Sequence, residues 1–415
     1  MRSLSKFTVC VIAAGLMHHT AFAQPAASAA SAVSGAGAAA PSIQFAAQAA
    51  WLRSVQSRSA EGRLDHARAG QSVAASPWAA PPALELGHRT DRLNDSLGRR
   101  ESEIGVAWPL WLPGQRVARG NAADAELGAA ESSRLAERLR SAGDVREAAW
   151  SLQAVQAERA AAKARAATLS ALTADVERRV KAGDLARADA LAVRAESLAA
   201  DAEVAASQGR LDAARVRWRA LTGVEPLLDP SEASVNGTAP EHPELALALL
   251  EIERARKRLD LNRVSRRDPP ELLLRYRQDT AGAGAALQNS VGVALRIPFG
   301  TDDRNLPRDA AALAELDIAQ ARERSLRLRI EADINIARSA AVLAERQLGA
   351  EESRAALLRE RAQLIGQSFR AGQTALPEQL RALAAADQAA GSLARQRAEL
   401  GLARARLKQS LGILP

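Results

Sequence analysis

The sequence is poor in the residues that build thick cores and covalent frameworks. Only 3% of its 415 residues are aromatic, and its single cysteine is Cys10. So few large rings argue against several thick globular cores, although the length would suit two or three ordinary domains. One thiol rules out a disulfide framework, and its place inside an early apolar run leaves no thiol chemistry or acyl anchor for the rest of the chain. After residue 23 there is no stretch of about 18 uninterrupted apolar residues, so no helical membrane span is expected. Proline is absent between Pro113 and Pro226 and between Pro307 and Pro377, which permits unusually long helices. The charge is +8, from 56 Lys and Arg against 48 Asp and Glu, but acids are interleaved with the arginines nearly everywhere, as along 315–329 and 351–361. Solvated helix faces with i, i+4 pairs account for that pattern, and no aromatic-basic module supports a nucleic-acid partner.

Catalytic signatures are also missing. His18 and His19 sit in the amino-terminal apolar segment, and His66, His88 and His242 are isolated, without a ligand-spaced cluster. There is no phosphate loop, dinucleotide fingerprint, nucleophile elbow or carboxylate pair with a positioned base. The expectation is a protein without enzymatic activity, cofactor or resident metal.

What is present is Ala, Leu, Arg and Glu, a composition that favours long helices packed through thin seams. Arg2 and Lys6 precede an apolar run over 7–17 and then Ala21-Phe22-Ala23, the pattern of a secretory signal cleaved between Ala23 and Gln24. Residues 24–41, made of Ala, Ser and Gly with Pro at each end, read as a flexible leader.

The remainder is a repeat. Arg119, Glu126, Arg140 and Asp144 recur 189 residues later as Arg308, Glu315, Arg329 and Asp333, and Gly183, Leu211, Gly223 and Pro226 recur as Gly372, Leu400, Gly412 and Pro415. Matched Gly and Pro punctuation at one offset marks two copies of one unit. The first copy is assigned to 42–226, with strands about 83–112 and helices about 117–222. A linker covers 227–242, and the second copy covers 243–415, with strands about 271–299 and helices about 308–412. Each copy has a shorter helical pattern (about 43–70 and 243–268), two alternating segments, a very long helix, a Gly turn and a last helix. Ile330, Ile334, Ala337, Ala341, Ala344 and Leu348 keep to one stripe of the long helix, and Leu393, Leu400 and Leu407 step by seven on the last one. Such narrow seams predict coiled-coil packing. The two shorter helices, laid end to end, match the long one.

The alternating segments place Ile104, Val106, Trp108 and Leu110, and Val291, Val293, Leu295, Ile297 and Phe299, each on one strand face. Weaker strands are expected at 84–86 and 272–277. Two readings stand side by side. Either these are small sheets with one buried face in a soluble protein, or the apolar residues face lipid. Four strands cannot close a membrane barrel, whose lower limit is about eight, so the second reading requires several chains to pool their strands.

His242-Pro243-Glu244-Leu245, Val291-Gly292-Val293-Ala294-Leu295 leading into Ile297-Pro298-Phe299-Gly300, Phe369-Arg370-Ala371-Gly372 and Leu411-Gly412-Ile413, in this order and over nearly the whole chain after the signal, resemble the TolC family of outer-membrane efflux channels. The resemblance implies a mainly α fold with a small β part. In it a homotrimer forms an α-barrel that crosses the periplasm and a 12-stranded transmembrane β-barrel in outer-membrane lipid. It also implies a periplasmic adaptor and an inner-membrane efflux pump of the RND type, with the channel itself performing no chemistry. The helical turns that meet the adaptor would be Val180, Gly183 and Leu185, and Phe369, Arg370, Gly372 and Leu376. The gate would carry Glu378 and its repeat partner Asp189, with Arg381 where an acid is usual. Asp303-Arg304-Asn305 resembles a motif of the heavy-metal cation efflux (CzcC-like) branch, without its usual Gln-Gly continuation. The rival reading is a periplasmic coiled-coil adaptor or structural interaction protein, although an adaptor usually has one helical hairpin and not two.

Overall fold

The long proline-free stretches form the struts of the molecule. The computed structural model describes residues 42–94, 96–227, 229–232, 241–299 and 302–415; the expected signal, the Ala23–Gln24 junction and the 24–41 leader lie outside these residues. The first half contains α1 (Ile43–Arg53), α2 (Val55–Ala75), β1 (Ala83–Thr90), β2 (Arg100–Pro109), α3 (Gln115–Ala182) and α4 (Arg187–Thr222). The second contains α5 (Pro243–Val264), β3 (Glu271–Thr280), β4 (Gln288–Arg296), α6 (Asp302–Arg370) and α7 (Leu376–Ser410).

At 68 and 69 residues, α3 and α6 each extend about 100 Å at 1.5 Å per residue. On α3, α2 pairs near the sheet through Arg63–Glu137, and α4 pairs farther away through Arg210–Glu158 and Arg165–Glu196. On α6, α5 is tied by Arg258–Glu315 and α7 by Arg404–Glu345 and Arg397–Glu352. The shorter helices of 21 and 36 residues, and of 22 and 35, therefore lie along successive lengths of α3 and α6. Because α3 also packs on α5 and α7, the lateral order is α2 and α4, then α3, then α5 and α7, then α6.

Helix boundaries differ from the sequence expectation at several ends, with α2 running on to Ala75 and α5 stopping at Val264, and two of the differences have a local cause. The pattern over 43–70 breaks at Ser54, whose hydroxyl donates to the Trp51 carbonyl and accepts from the Ser57 N–H, ending α1 and capping α2 with one side chain. The second long helix starts at Asp302, ahead of the expected 308, and carries Pro307 inside it. So near the amino end this proline removes a single ladder bond, which the remaining turns outweigh.

The seams are thin and rich in alanine. On α6 Ile330 and Ala344 are buried, and Ile334, Ala337, Ala341 and Leu348 are half-buried, so the sequence stripe is the line of packing. The thickest apolar cluster lies midway along α3, where Ala142, Val145, Ala149 and Leu152 meet Ala46 and Ala50 of α1 and Leu211 and Trp218 of α4. The helix turns match between halves: Gly183 and Gly372, and Gly223 and Gly412, have φ of 89°, 74°, 73° and 75°. This left-handed conformation carries a steric penalty for residues with a Cβ.

The two hairpins join into one antiparallel sheet of order β1-β2-β3-β4. Within the chain β1 and β4 are its edges. Leu110, Ile297 and Phe299 lie beyond the strand ends, because β2 stops at Pro109 and β4 at Arg296. The Leu110 N–H still donates to the Pro270 carbonyl.

Candidate functional site

Strand register sorts the sheet into two unlike faces. Val106 pairs with Leu84 and Leu274, Ile104 with Leu86 and Tyr276, Trp108 with Leu272, and Leu274, Tyr276 and Leu272 with Val293, Val291 and Leu295. Directly paired residues share a face, so these eleven side chains form one continuous apolar surface. Most are exposed, with Leu86, Val291 and Val293 above 70%. A water-soluble monomer rarely shows so wide a contiguous patch; it marks a membrane or protein interface.

The opposite face is polar and ion-paired. Arg275 of β3 crosses over β2 to reach both Glu85 and Glu103, at 3.0 and 3.2 Å, beside Arg277–Glu101 and Arg296–Glu271. It can lie flat because Gly105 is beneath it: a Cβ there would stand 3.0 Å from Arg275 Cγ. The alternation of β2 pointed to a glycine on this face, but a reach over a whole strand had no signal in the sequence.

At the far end of the helices the two hairpins share one core. Val176 and Val193 from the first pack with Phe369 and Leu376 from the second, flanked by Val180, Leu185 and Leu380. Phe369 and Leu376 are 3% and 2% exposed, so as adaptor contacts these side chains are covered. The exposed surface of the tip includes Lys181, Gly183 and Asp184 with Arg370, Ala371, Gly372 and Gln373. Arg179, which sequence reasoning missed, binds the two hairpins. Its guanidinium stands 5.1 Å from the Phe369 ring centroid and donates to the Phe369 and Arg370 carbonyls, while Asp175 pairs with it at 3.2 Å. A cation there meets the exposed carbonyls and negative dipole end of α6. A basic residue in the last turn of α3 was the available clue.

The gate candidates have local partners. Asp189, third residue of α4, reaches back to accept the Ala186 N–H, one half of a capping box whose other half an alanine cannot make. Glu378 is held between Arg361 at 3.0 Å and Arg381 at 3.2 Å, so Arg381 pairs within its own chain. These pairs are substantially exposed and contribute at most about 1 kcal/mol each. Asp387, two and a half turns beyond Glu378, has a carboxyl raised from its ordinary value by burial, opposed in part by Arg165.

Midway along the struts lies a third constellation. Arg146 of α3 forms a bidentate pair with Glu232 of the linker at 2.7 Å, and also donates to Gln409 and to the Ile413 carbonyl. Lys408, donating to the Glu232 carbonyl, is lowered by burial and by Arg146 against the pull of Glu232. Glu244, at the first turn of α5, lies between the repeat-related Arg140 and Arg329 at 2.8 and 3.7 Å. Asp303-Arg304-Asn305 serves the local fold: Arg304 pairs with Asp268, and the Asn305 amide donates to the Arg266 carbonyl.

Among the described residues no group of three or more His, Cys, Asp or Glu is placed to hold a metal ion, and no helix is long and apolar enough to cross a membrane.

No protein-family model matches the sequence, and no curated protein is similar to it. Solved structures match its fold. The outer membrane protein VceC from Vibrio cholerae is 15% identical and aligns over 90% of this chain and 97% of its own, with a TM-score of 0.70. CusC, described in terms of folding and transmembrane channel formation, is 15% identical over 92% of this chain and 96% of its own, with a TM-score of 0.73. The MtrE outer membrane channel of Neisseria gonorrhoeae in its open state is 16% identical over 91% and 90%, with a TM-score of 0.70. The chain thus has the mainly helical fold of outer-membrane efflux channels of the TolC type. Identities this even favour no branch of them.

Proposed function

We propose that three copies of this chain assemble into an outer-membrane channel, the passive exit duct of a tripartite efflux system. The observation that carries the reading is that helices and sheet run out on the same two sides of the chain. Along the chain β1 follows α2, which lies with α4 at one side of the helical layer, and β4 precedes α6 at the other. An even number of alternating strands makes β4 of one copy antiparallel to β1 of the next, so three copies give a closed twelve-stranded barrel without reversing any strand. The apolar face then meets lipid and the ion-paired face lines water.

The helical edges agree. Ile336, Leu343, Leu357 and Leu364 of α6 are exposed at spacings of seven or fourteen, with exposed Ala350 completing the heptad. Leu191, Leu198 and Ala205 form an exposed heptad on α4. Measured from the tip, Leu364 stands level with Leu191, Leu357 with Leu198 and Ala350 with Ala205, an antiparallel seam that completes an α-barrel.

In this arrangement the exposed turns around Gly183 and Gly372 meet a periplasmic adaptor, and an inner-membrane pump of the RND type delivers the cargo. Glu378, Arg361 and Arg381 border the aperture at the narrow end. Metal cations are the proposed cargo, on the resemblance of Asp303-Arg304-Asn305; a deletion strain more sensitive to metals than to organic toxicants supports this, and the reverse removes it.

Fractionation tests the assembly. The chain is expected to pellet with outer membranes, to resist salt and carbonate washing, and to migrate as a trimer in mild detergent. Since Cys10 is the only native thiol, Leu198→Cys combined with Leu357→Cys is expected to give a covalent trimer on oxidation. A soluble periplasmic monomer would leave only a helical interaction protein.

A further inference from the structure

The sheet is zoned along its length as well as across its faces. On the apolar side, the end nearest the helices carries Trp108, whose ring centroid lies 6.4 Å from that of Trp78, with Trp111 close by donating its indole N–H to the Ser76 carbonyl. The rows of Val106 and Ile104 follow. A polar row comes next, in which His88 bonds Ser102 and Gln278 bonds Asn289. The last row on that side is Thr90, Arg100 and Thr280, paired across the strands. Eight steps separate Trp108 from Arg100, about 27 Å along a strand at about 3.4 Å per residue. A strand tilt near 40° makes this about 21 Å along the membrane normal, close to the height of a barrel's membrane-facing band. If the indoles mark one headgroup level, Arg100 marks the other.

Arg100 has basic company there. Arg92 and Arg99, in the loop joining β1 to β2, are exposed, and none of the three forms an ion pair among the described residues. The nearby Asp91 carboxylate accepts the Arg99 backbone N–H through Oδ2 at 3.0 Å, while its Oδ1 is covered and bonds none of the described residues; the other acid of the loop, Asp95, lies outside the described residues. Leu93 and Leu97 beside them are fully and largely exposed. The loop joining β3 to β4, residues 281–287, has no charge at all. It props the first loop from below: the Ala283 N–H donates to the Leu97 carbonyl at 2.8 Å, and a Cβ on Gly98 would stand 2.8 Å from Ala283 N.

Resting on the channel reading above, we infer that Arg92, Arg99 and Arg100 form a docking surface for the phosphates of phosphorylated glycolipids in the outer leaflet, with Leu93 and Leu97 set against the lipid. Three such loops on a trimer fix its depth in the membrane at the outer side, as the indoles do at the inner. Guanidinium suits this task because it binds phosphate through paired N–H donors. A cationic side chain near an anionic membrane surface contributes about 1 kcal/mol, so losing all three weakens binding at least about tenfold.

The experiment uses purified full-length protein in mild detergent, first checked for its oligomeric state. Trimers are titrated with bisphosphorylated lipid A, with its dephosphorylated form and with inorganic phosphate, while bound lipid is counted by native mass spectrometry and trimer melting is followed. Bisphosphorylated lipid is expected to bind and to raise the melting temperature, with a response that falls as salt rises. The combined Arg92→Gln, Arg99→Gln, Arg100→Gln protein, still trimeric, is expected to bind at least about tenfold more weakly. Equal binding of the dephosphorylated lipid, an unchanged response in the variant, or the same stabilisation by inorganic phosphate alone would each overturn the inference. A parent protein that is monomeric from the outset would instead overturn the channel reading beneath it.

Discussion

The two halves of the chain share a backbone and differ in chemistry at nearly every point where the fold meets a partner or a joint. At the tip, the second half carries Arg361 and Arg381 around Glu378. Residues 189 positions earlier are Leu172 and Ala192, and Leu172 packs against the shared apolar core. Arg179 clamps the hairpins from the first half, while its counterpart Ser368 bonds locally to Thr374. The hairpin loops at the other end contrast in the same way, one rich in arginine and one uncharged. The lesson is that the repeat preserves what the scaffold needs, such as turn glycines and seam residues, and leaves exposed positions free to diverge.

The sharpest contrast is at mid-strut. Arg146 is buried with each guanidinium nitrogen hydrogen-bonded, whereas its repeat counterpart Asn335 is exposed. Arg146→Ala leaves Glu232 buried without its partner and is expected to destabilise the protein by about 3–5 kcal/mol. Asn335→Ala is expected to fall within about 0.5 kcal/mol of the parent. Denaturant unfolding of the two variants side by side measures this, and equal effects would erase the asymmetry.

A smaller effect is expected at the tip. Arg179→Ala removes a cation–π contact and charged hydrogen bonds, about 2 kcal/mol together, where Ser368→Ala removes one hydroxyl contact. Spin labels at positions 184 and 373, in a protein with Cys10 replaced by serine, are expected to show a broader distance distribution in Arg179→Ala only. Unchanged distances would mean that the apolar cluster alone holds the hairpins together.

The least effect, and the most selective, concerns pH. Arg53 and His242 are repeat counterparts, packed over the turn glycines Gly223 and Gly412 respectively. Of the two, His242 is the one with a shifted titration. Burial lowers the His242 imidazole below its ordinary value, against the pull of Glu244. Its Nδ1 accepts from the Glu244 N–H and so caps α5 while neutral. A lowered folded-state value means that the stability contributed by neutral His242 is present above about pH 6.5 and is lost as pH falls through the depressed value. Protonation also places a cation at a helix amino terminus, where the dipole opposes it. Thermal melting between pH 7.5 and 5 is expected to show a drop that His242→Asn, which can still cap, reduces. An unchanged drop would assign the effect to other groups.

Much of the architecture was legible because it follows from local rules. Periodicity at seven residues marked the seams of α6 and α7, glycine at a fixed offset marked the turns, and strict alternation marked β2 and β4. Weak strands at 84–86 and 272–277 were legible only as companions of stronger ones. The break at Ser54 and the start of α6 before Pro307 escaped notice, since a serine inside a helical pattern and a proline near a helix end are each compatible with either outcome. At the candidate site, Asp189, Glu378 and Arg381 were named by position, but Arg361 and Arg179 were not. Arg361 lies 17 residues from Glu378, and Arg179 meets a helix 190 residues away.

By itself the sequence determined the repeat, the helical struts, the period-2 strands and the scarcity of cores, because each depends on backbone preference and on residues only a few positions apart. Tertiary structure decided which face of the sheet is apolar across all four strands, that Phe369 and Leu376 lie inside the tip, and that Arg275, Arg179 and Arg146 bridge separate elements. Those contacts depend on register and on the crossing of distant segments, which no short stretch of chain encodes.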